Sequence, residues 1–245
     1  MTTLRIAVTG GNGVMGRALC AYLPDAVYLT RHNCDVRNER QARAALRLAR
    51  PDVVIHAAAL TDHAHPNAAD IIETNVIGTQ HVAEACRELG ARLVYLSTHY
   101  VYEGAIGDYR EDAVPKPIGA YAMSKLAGEY ATQRAHDTLV VRGSWYTYET
   151  RLKHWLARGV IADAWVSRES ASDAARKIAR LALSNALGTF NIGRPRRTFR
   201  HIIEDECPNE KYVIAKRINA GTPYAFPADV SVNTDKFDAW EAQHE

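Results

Sequence analysis

TGGNGVMG, Thr9 to Gly16, follows a strand-like run, Leu4 to Val8, and opens a helical pattern. It satisfies Gly-x-Gly-x-x-Gly at Gly11, Gly13 and Gly16, and also Gly-x-x-Gly-x-x-Gly at Gly10, Gly13 and Gly16. Glycines here permit a tight turn, let the backbone approach a pyrophosphate, and let the next helix pack close to the strand. The start of that helix adds amides and partial positive charge. Strand, turn and helix in this order make a dinucleotide fingerprint, with Gly10, Gly11, Asn12, Gly13, Val14, Met15 and Gly16 as cofactor-binding residues.

The alternation continues outward from this turn. Apolar runs at Arg5 to Val8, Ala26 to Leu29, Val53 to His56, Arg92 to Leu96 and Thr138 to Val141 suit strands covered on both faces. Helical patterns lie near 14–23, 38–49, 67–89 and 119–136. Strict alternation of this kind predicts right-handed crossovers and an α/β fold with a doubly wound parallel (Rossmann) sheet. After Trp145 the pattern loosens into a helical stretch, Ser172 to Asn185, a sixth strand, Thr189 to Ile192, and irregular segments at Gly159 to Glu169 and Ile203 to Pro227. Residues 1–147, rejoined by about 170–193, are therefore read as the dinucleotide-binding domain. Residues 148–245 are read as a small, partly interwoven C-terminal substrate lobe over the carboxyl ends of the strands.

Composition narrows the function. The chain has 245 residues, and its net charge of +2 comes from 30 basic and 28 acidic residues spread along it. No field points to nucleic acid or an anionic membrane, so a small molecule is the expected partner. Cys20, Cys34, Cys86 and Cys207 form no Cys-x-x-Cys pair, which argues for reduced thiols and against zinc. His63 and His65 lack a third ligand nearby in sequence, so no metal is expected. A core strand begins within a few residues of Met1 and no run is long enough to span a membrane, so a cytoplasmic protein is expected.

The second strand ends in Thr30-Arg31, without the carboxylate that would bind a ribose diol. Arg31 can pair with a 2′-phosphate, favouring NADPH, although NADH and an ordinary surface arginine stay open. Asp35 and Val36 are placed to meet the adenine edge. In AYAMSKL, Ala120 to Leu126, a helix puts Tyr121 and Lys125 one above the other. A free tyrosine titrates near about 10, and an ammonium one turn away brings that down, which suits a proton donor.

The glycine loop, STHYVYEG (Ser97 to Gly104) after the fourth strand and the Tyr121 helix together resemble the extended short-chain dehydrogenase/reductases. The resemblance sharpens to the dTDP-4-dehydrorhamnose reductase family through several stretches. These are GGNGVMGRAL, PDVVIHAAALT (Pro51 to Thr61), TNV around Asn75, LSTHYVYEG, YREDAVPKPIGAYAMSKLAGE (Tyr109 to Glu129), VRGSWY (Val141 to Tyr146) and PADVSVNTDKF (Pro227 to Phe237). It implies Thr98, Tyr121 and Lys125 as the catalytic group. Ala57, Ala58 and Ala59, with Tyr121 and Lys125, would lie beside the cofactor, and Thr98, His99, Tyr100 and Trp145 on the substrate side.

There are departures from the family pattern. His99 stands where the family has Asp, and His99-Tyr100 replaces the Asp-Glu of the related dehydratases, leaving carbonyl reduction without dehydration. Phe226 replaces an arginine frequent in the family. Arg194, Arg196, Arg197 and Arg200 are either receivers of a substrate diphosphate or a solvated face. The implied activity is NAD(P)H-dependent reduction of the 4-keto group of a 4-keto-6-deoxy sugar nucleotide. A sugar-nucleotide epimerase that retains its cofactor and a non-catalytic cofactor-binding regulatory subunit are the alternatives, and a homodimer stays open.

Overall fold

The structure is a computed structural model that describes residues 4–61, 67–216 and 226–244; His63 and His65 fall outside them. The chain runs β1 (Ile6–Thr9), α1 (Val14–Leu19), β2 (Val27–Leu29), α2 (Glu39–Ala49), β3 (Val53–His56), α3 (Ala68–Ile72), α4 (Gly78–Leu89), β4 (Arg92–Leu96), α5 (Ala120–Ala131) and β5 (Thr138–Arg142). It continues through β6 (Trp145–Tyr146), α6 (Lys153–Arg158), β7 (Val160–Ile161), β8 (Trp165–Val166), β9 (Glu169–Ser170), α7 (Ala171–Leu183), β10 (Gly188–Asn191), β11 (Arg197–Thr198), α8 (Phe199–Glu206), β12 (Ile214–Ala215) and α9 (Asp235–Gln243).

β10, β5, β4, β3, β1 and β2 form, in that order, one six-stranded parallel sheet. β1 and β3 are buried along their whole length, as strands covered on both faces must be. On one face Met15, Leu19, Ala175, Ile178 and Phe237 pack over Val8, Ile55, Val94 and Val141. On the other, Leu46, Val82 and Cys86 pack over Ala7, Val54 and Leu93. Each fully buried Leu, Ile, Val or Phe contributes about 1.5–3 kcal/mol through lost apolar hydration. From β1 the chain adds β2 on one side, then crosses to β3 on the other, and this reversal opens a crevice at the carboxyl ends of β1 and β3.

The doubly wound expectation holds, and the sixth strand expected at Thr189 to Ile192 is β10, which forms an edge of the sheet. The first helix, expected to reach Leu23, ends at Leu19, with Leu23 turning back into the same core. Segments expected to be irregular carry short elements instead. β6 pairs with β9, β8 with β11 and β7 with β12, and their core gathers Tyr146, Val160, Val166, Phe199, Ile202 and Val230. Two-residue strands are too short to show a period in sequence. The cap of α8 also escapes the usual signature, because His201 takes the reciprocal place of a Glu or Gln opposite Thr198.

All four cysteines are free thiols. Among the described residues no helix is long and apolar enough to cross a membrane, and no group of three His, Cys, Asp or Glu is placed to hold a metal.

Candidate active site

A cleft of about 440 Å³ opens at the carboxyl ends of β1, β3, β4 and β5. Its walls are Gly13, Val14 and Met15 after β1; Ala57, Ala59 and Thr61 after β3; and Leu96, Ser97, Thr98 and Tyr100 at and after the end of β4. Tyr121 and Lys125 on α5, Gly143, Ser144 and Trp145 after β5, and Arg168 between β8 and β9 complete it.

The glycine loop is held by its own backbone. The Gly13 amide donates to the Gly10 carbonyl, and the Gly11 amide to the Leu29 carbonyl, both at 2.8 Å. Gly10 has φ +71°, and a Cβ there would lie 2.7 Å from the Ala58 nitrogen and 2.8 Å from the Ala57 carbonyl carbon. Only glycine lets the loops after β1 and β3 meet backbone to backbone.

Between α3 and α4 the helix widens into a π turn, Glu73–Ile77, that carries Asn75. Asn75 Oδ1 accepts from the Leu60 amide at 2.7 Å, and its Nδ2 donates to the Leu60 carbonyl and to Ser124 Oγ, both at 2.9 Å. Ser124 Oγ in turn donates to the Tyr121 carbonyl at 2.7 Å. One buried amide thereby ties the loop after β3 to the turn of α5 that bears Tyr121. Gly128 brings α5 close, since a Cβ there would collide with Tyr95 Oη.

Lys125 is 2% exposed, and its ammonium stands 4.1 Å from the centre of the Tyr95 ring. Burial pulls its pKa down to about 7, opposed by the negative charge of Glu129 one turn further on. Glu129 is itself gripped by Arg142, with Nε and Nη2 donating at 3.0 and 2.7 Å, and accepts from Ser97 Oγ. Arg142 also donates to Tyr102 Oη at 2.8 Å. The carboxylate is thus shared between Arg142 and Ser97, which limits how far it holds the Lys125 proton against burial.

Behind Lys125, His56 is held neutral, its pKa drawn to about 3 by burial and then by the Lys125 charge. Thr79 Oγ1 donates to the Asn75 carbonyl at 2.7 Å, so it accepts from His56 Nε2 at 3.1 Å. Nδ1 is left to accept from Thr9 Oγ1 at 2.6 Å. The tautomer follows from this chain of bonds, which links the end of β1 to α4.

Thr98 is buried, and its Oγ1 accepts from the Tyr100 amide at 3.3 Å, starting the short turn His99–Val101. Of the residues singled out in the sequence, Thr98, Tyr121, Lys125, Tyr100, Trp145, Gly13, Val14, Met15, Ala57 and Ala59 meet in the cleft. Gly10, Gly11, Asn12, Gly16 and Ala58 do not line it.

His99, expected on the substrate side, is not brought to the wall. It is fully buried, packed edge-on against Tyr100 with ring centres 4.6 Å apart. Arg31, Asp35 and Val36 also lie off this cleft. Arg31 is exposed, 3.6 Å from Asp35, whose carboxylate is clasped by Arg37 and held down at about 2 by that hydrogen-bonded pairing. Val36 is buried, and its carbonyl bonds His81 Nδ1 at 2.9 Å.

Arg168 received no role from the sequence, because nothing local distinguishes it in an irregular stretch. Glu129 was legible in principle, since Tyr121, Lys125 and Glu129 follow at four-residue steps along one helical face.

The RmlD substrate binding domain family model matches residues 4–158. A dTDP-4-dehydrorhamnose reductase of Mycobacterium tuberculosis is 38% identical over 153 residues, covering 58% of this chain and 50% of its own length. This chain therefore spans about half the length of that relative. A dTDP-4-keto-6-deoxy-D-glucose reductase of Streptomyces niveus is 32% identical over 209 residues, covering 77% of this chain and 72% of its own. The crystal structure of a dTDP-4-dehydrorhamnose reductase from Bacillus anthracis in complex with NADP superposes with a TM-score of 0.89 at 27% identity, covering 97% of this chain and 93% of that one.

Proposed function

We propose that this chain, which belongs to the RmlD substrate binding domain family, reduces the 4-keto group of a 4-keto-6-deoxy sugar nucleotide with NADPH. One observation carries the reading: Thr98, Tyr121 and Lys125 line the same cleft as the glycine loop. The activities named for the M. tuberculosis and S. niveus relatives support it.

The residues fit a dinucleotide. The Gly10 turn leaves no room for a side chain, and no side chain caps the first turn of α1, so the backbone of Gly13 and Val14 at the cleft wall would be open to a phosphate. Gly13, Val14 and Met15 would hold the pyrophosphate, and Ala57 and Ala59 would flank the nicotinamide half. Arg31 would meet the 2′-phosphate of NADPH, with Asp35 and Val36 near the adenine; a lower dissociation constant for NADH than for NADPH would overturn that assignment. Residues 1–147 with 170–193 would carry the cofactor, and the remaining chain the sugar nucleotide. When bound, the reduced nicotinamide supplies the hydride.

The chain's own residues manage the proton. Tyr121 donates its phenolic proton to the carbonyl oxygen as that oxygen gains charge. Lys125, one turn along α5, stabilises the phenolate that remains. Thr98 Oγ1 hydrogen-bonds the same oxygen and orients the carbonyl. Asn75, through Ser124, holds the helix turn from which Tyr121 projects.

The test is NADPH consumption by the purified protein offered dTDP-, UDP- and GDP-4-keto-6-deoxy sugars. Consumption with at least one donor, and a reduced sugar as product, is expected. No consumption with any of them overturns the reading, and a tightly held cofactor that is never consumed would point to the epimerase.

A further inference from the structure

Arg194, Arg196, Arg197 and Arg200 are the sequence's candidates for a substrate anion, yet each already faces an acid. Arg194 pairs with Asp173 at 3.0 Å, Arg196 with Asp229 at 2.7 Å, Arg197 with Asp205 at 2.9 Å and Arg200 with Glu204 at 2.7 Å. None of them lines the cleft. Arg168 does, although it is only 7% exposed.

Among the described residues Arg168 has no carboxylate partner: the neighbouring Glu169 is buried and pairs with Lys177 at 2.7 Å instead. Nη2 donates to Tyr100 Oη at 3.0 Å, while Nε is buried with no hydrogen-bond partner. The guanidinium carbon stands 5.8, 5.4 and 5.4 Å from the ring centres of Tyr100, Trp155 and Phe199. Such a cage offsets part of the lost hydration and freezes the side chain's fork. A buried cation with an unfilled donor still lacks what normally accompanies it, an anion.

Position says which ligand that anion belongs to. Arg168 precedes β9, which pairs with β6 just after β5, whereas the glycine loop follows β1. β4 and β3 lie between β5 and β1 in the sheet. At about 4.8 Å per strand the two ends of the cleft are about 14 Å apart. A dinucleotide with its pyrophosphate on the glycine loop would keep its phosphates at the opposite end of the cleft from Arg168. A second anion must come from the other reactant.

We propose that Arg168 receives the diphosphate of the sugar nucleotide; the identity of that ligand rests on the reductase reading above. Arg168 lies outside residues 4–158 matched by the family model. The basic run after β10 serves instead to knit the short strands and α8 to their neighbours.

The experiment is calorimetric titration of dTDP, UDP and GDP into the full chain saturated with NADPH. Wild type is expected to bind at least one of them, and Arg168→Met to weaken it about 30-fold or more, as loss of a buried charge-assisted contact does. NADPH affinity stays within about two-fold, and Arg194→Met and Arg200→Ala keep the diphosphate affinity within about two-fold. Unchanged affinity in Arg168→Met, loss confined to the Arg194 or Arg200 variants, or no diphosphate binding by wild type overturns the proposal. Should Arg168→Met fail to fold, Arg168→Lys decides, because it keeps the charge and loses the fork; affinity equal to wild type then overturns it. The two readings separate cleanly. Diphosphate binding lost in Arg168→Met, in a protein that consumes no NADPH, upholds the subsite and overturns the reductase; turnover with Arg168-independent diphosphate binding does the reverse.

Discussion

Lys125 and Arg168 are both buried cations set against tyrosine rings, 4.1 Å from Tyr95 and 5.8 Å from Tyr100, but the two walls of the cleft hold them differently. Lys125 projects from a twelve-residue helix, and its charge is answered by Glu129, which Arg142 answers in turn. Arg168 sits between two-residue strands, caged by rings from α6, α8 and the turn after β4, and among the described residues no acid pairs with it, since the adjoining Glu169 is taken by Lys177. A compensated cation has its proton affinity tuned by neighbours. An uncompensated one stores an unmet interaction for a ligand. On the proposed reading, the sheet wall does the chemistry and the lobe wall holds the substrate.

The sharpest break of that division would come from Tyr121→Phe. It removes the proton donor and keeps the ring, so turnover falls about 10³-fold or more while NADPH affinity, read by fluorescence titration, changes less than about two-fold. Retained turnover would move the chemistry away from the sheet wall.

Next comes stability. Glu129→Gln leaves Arg142 buried and unpaired, and urea unfolding is expected to show a loss of about 3–4 kcal/mol. Arg168→Met removes a charge that has no carboxylate partner among the described residues, so its unfolding free energy stays within about 1 kcal/mol of wild type or rises. Equal losses in the two variants would erase the distinction between the walls.

A pH profile probes the tuned cation. With Lys125 near 7, kcat/KM falls about tenfold per unit on the alkaline side once the ammonium is lost. Stability carries the opposite sign. Between about 7 and the unfolded value near 10.4, the unfolded chain holds a proton that the folded chain has released, so this group's contribution rises with pH. Lys125→Met should therefore gain in Tm over wild type at pH 7 and lose that advantage towards pH 10. His56, near 3 when folded and about 6.5 when unfolded, destabilises the fold progressively as pH falls through that window. The smallest effect is expected from Arg200→Ala, an exposed pair with Glu204, which leaves Tm within about 1 °C.

The pattern of strand, glycine turn and helix was readable because each part is written within a few residues. A buried strand of four or five apolar residues, and a tyrosine and lysine one turn apart, carry their own signals. The same reading placed His99 towards the substrate, but its ring is buried behind the turn it begins. It also left the basic run open between ligand and surface, and the fold pairs every arginine in it with an acid.

By itself, the sequence determined the doubly wound sheet, the glycine cradle and the Tyr121–Lys125 face of α5, since periodicity and backbone freedom are local properties. Only the tertiary structure decided that Arg142 closes on Glu129 thirteen residues away, that His56 is locked between Thr9 and Thr79, and that Arg168 reaches the cleft uncompensated. Burial and charge compensation depend on segments distant along the chain coming together. No residue's own neighbourhood in sequence records which partner it will meet.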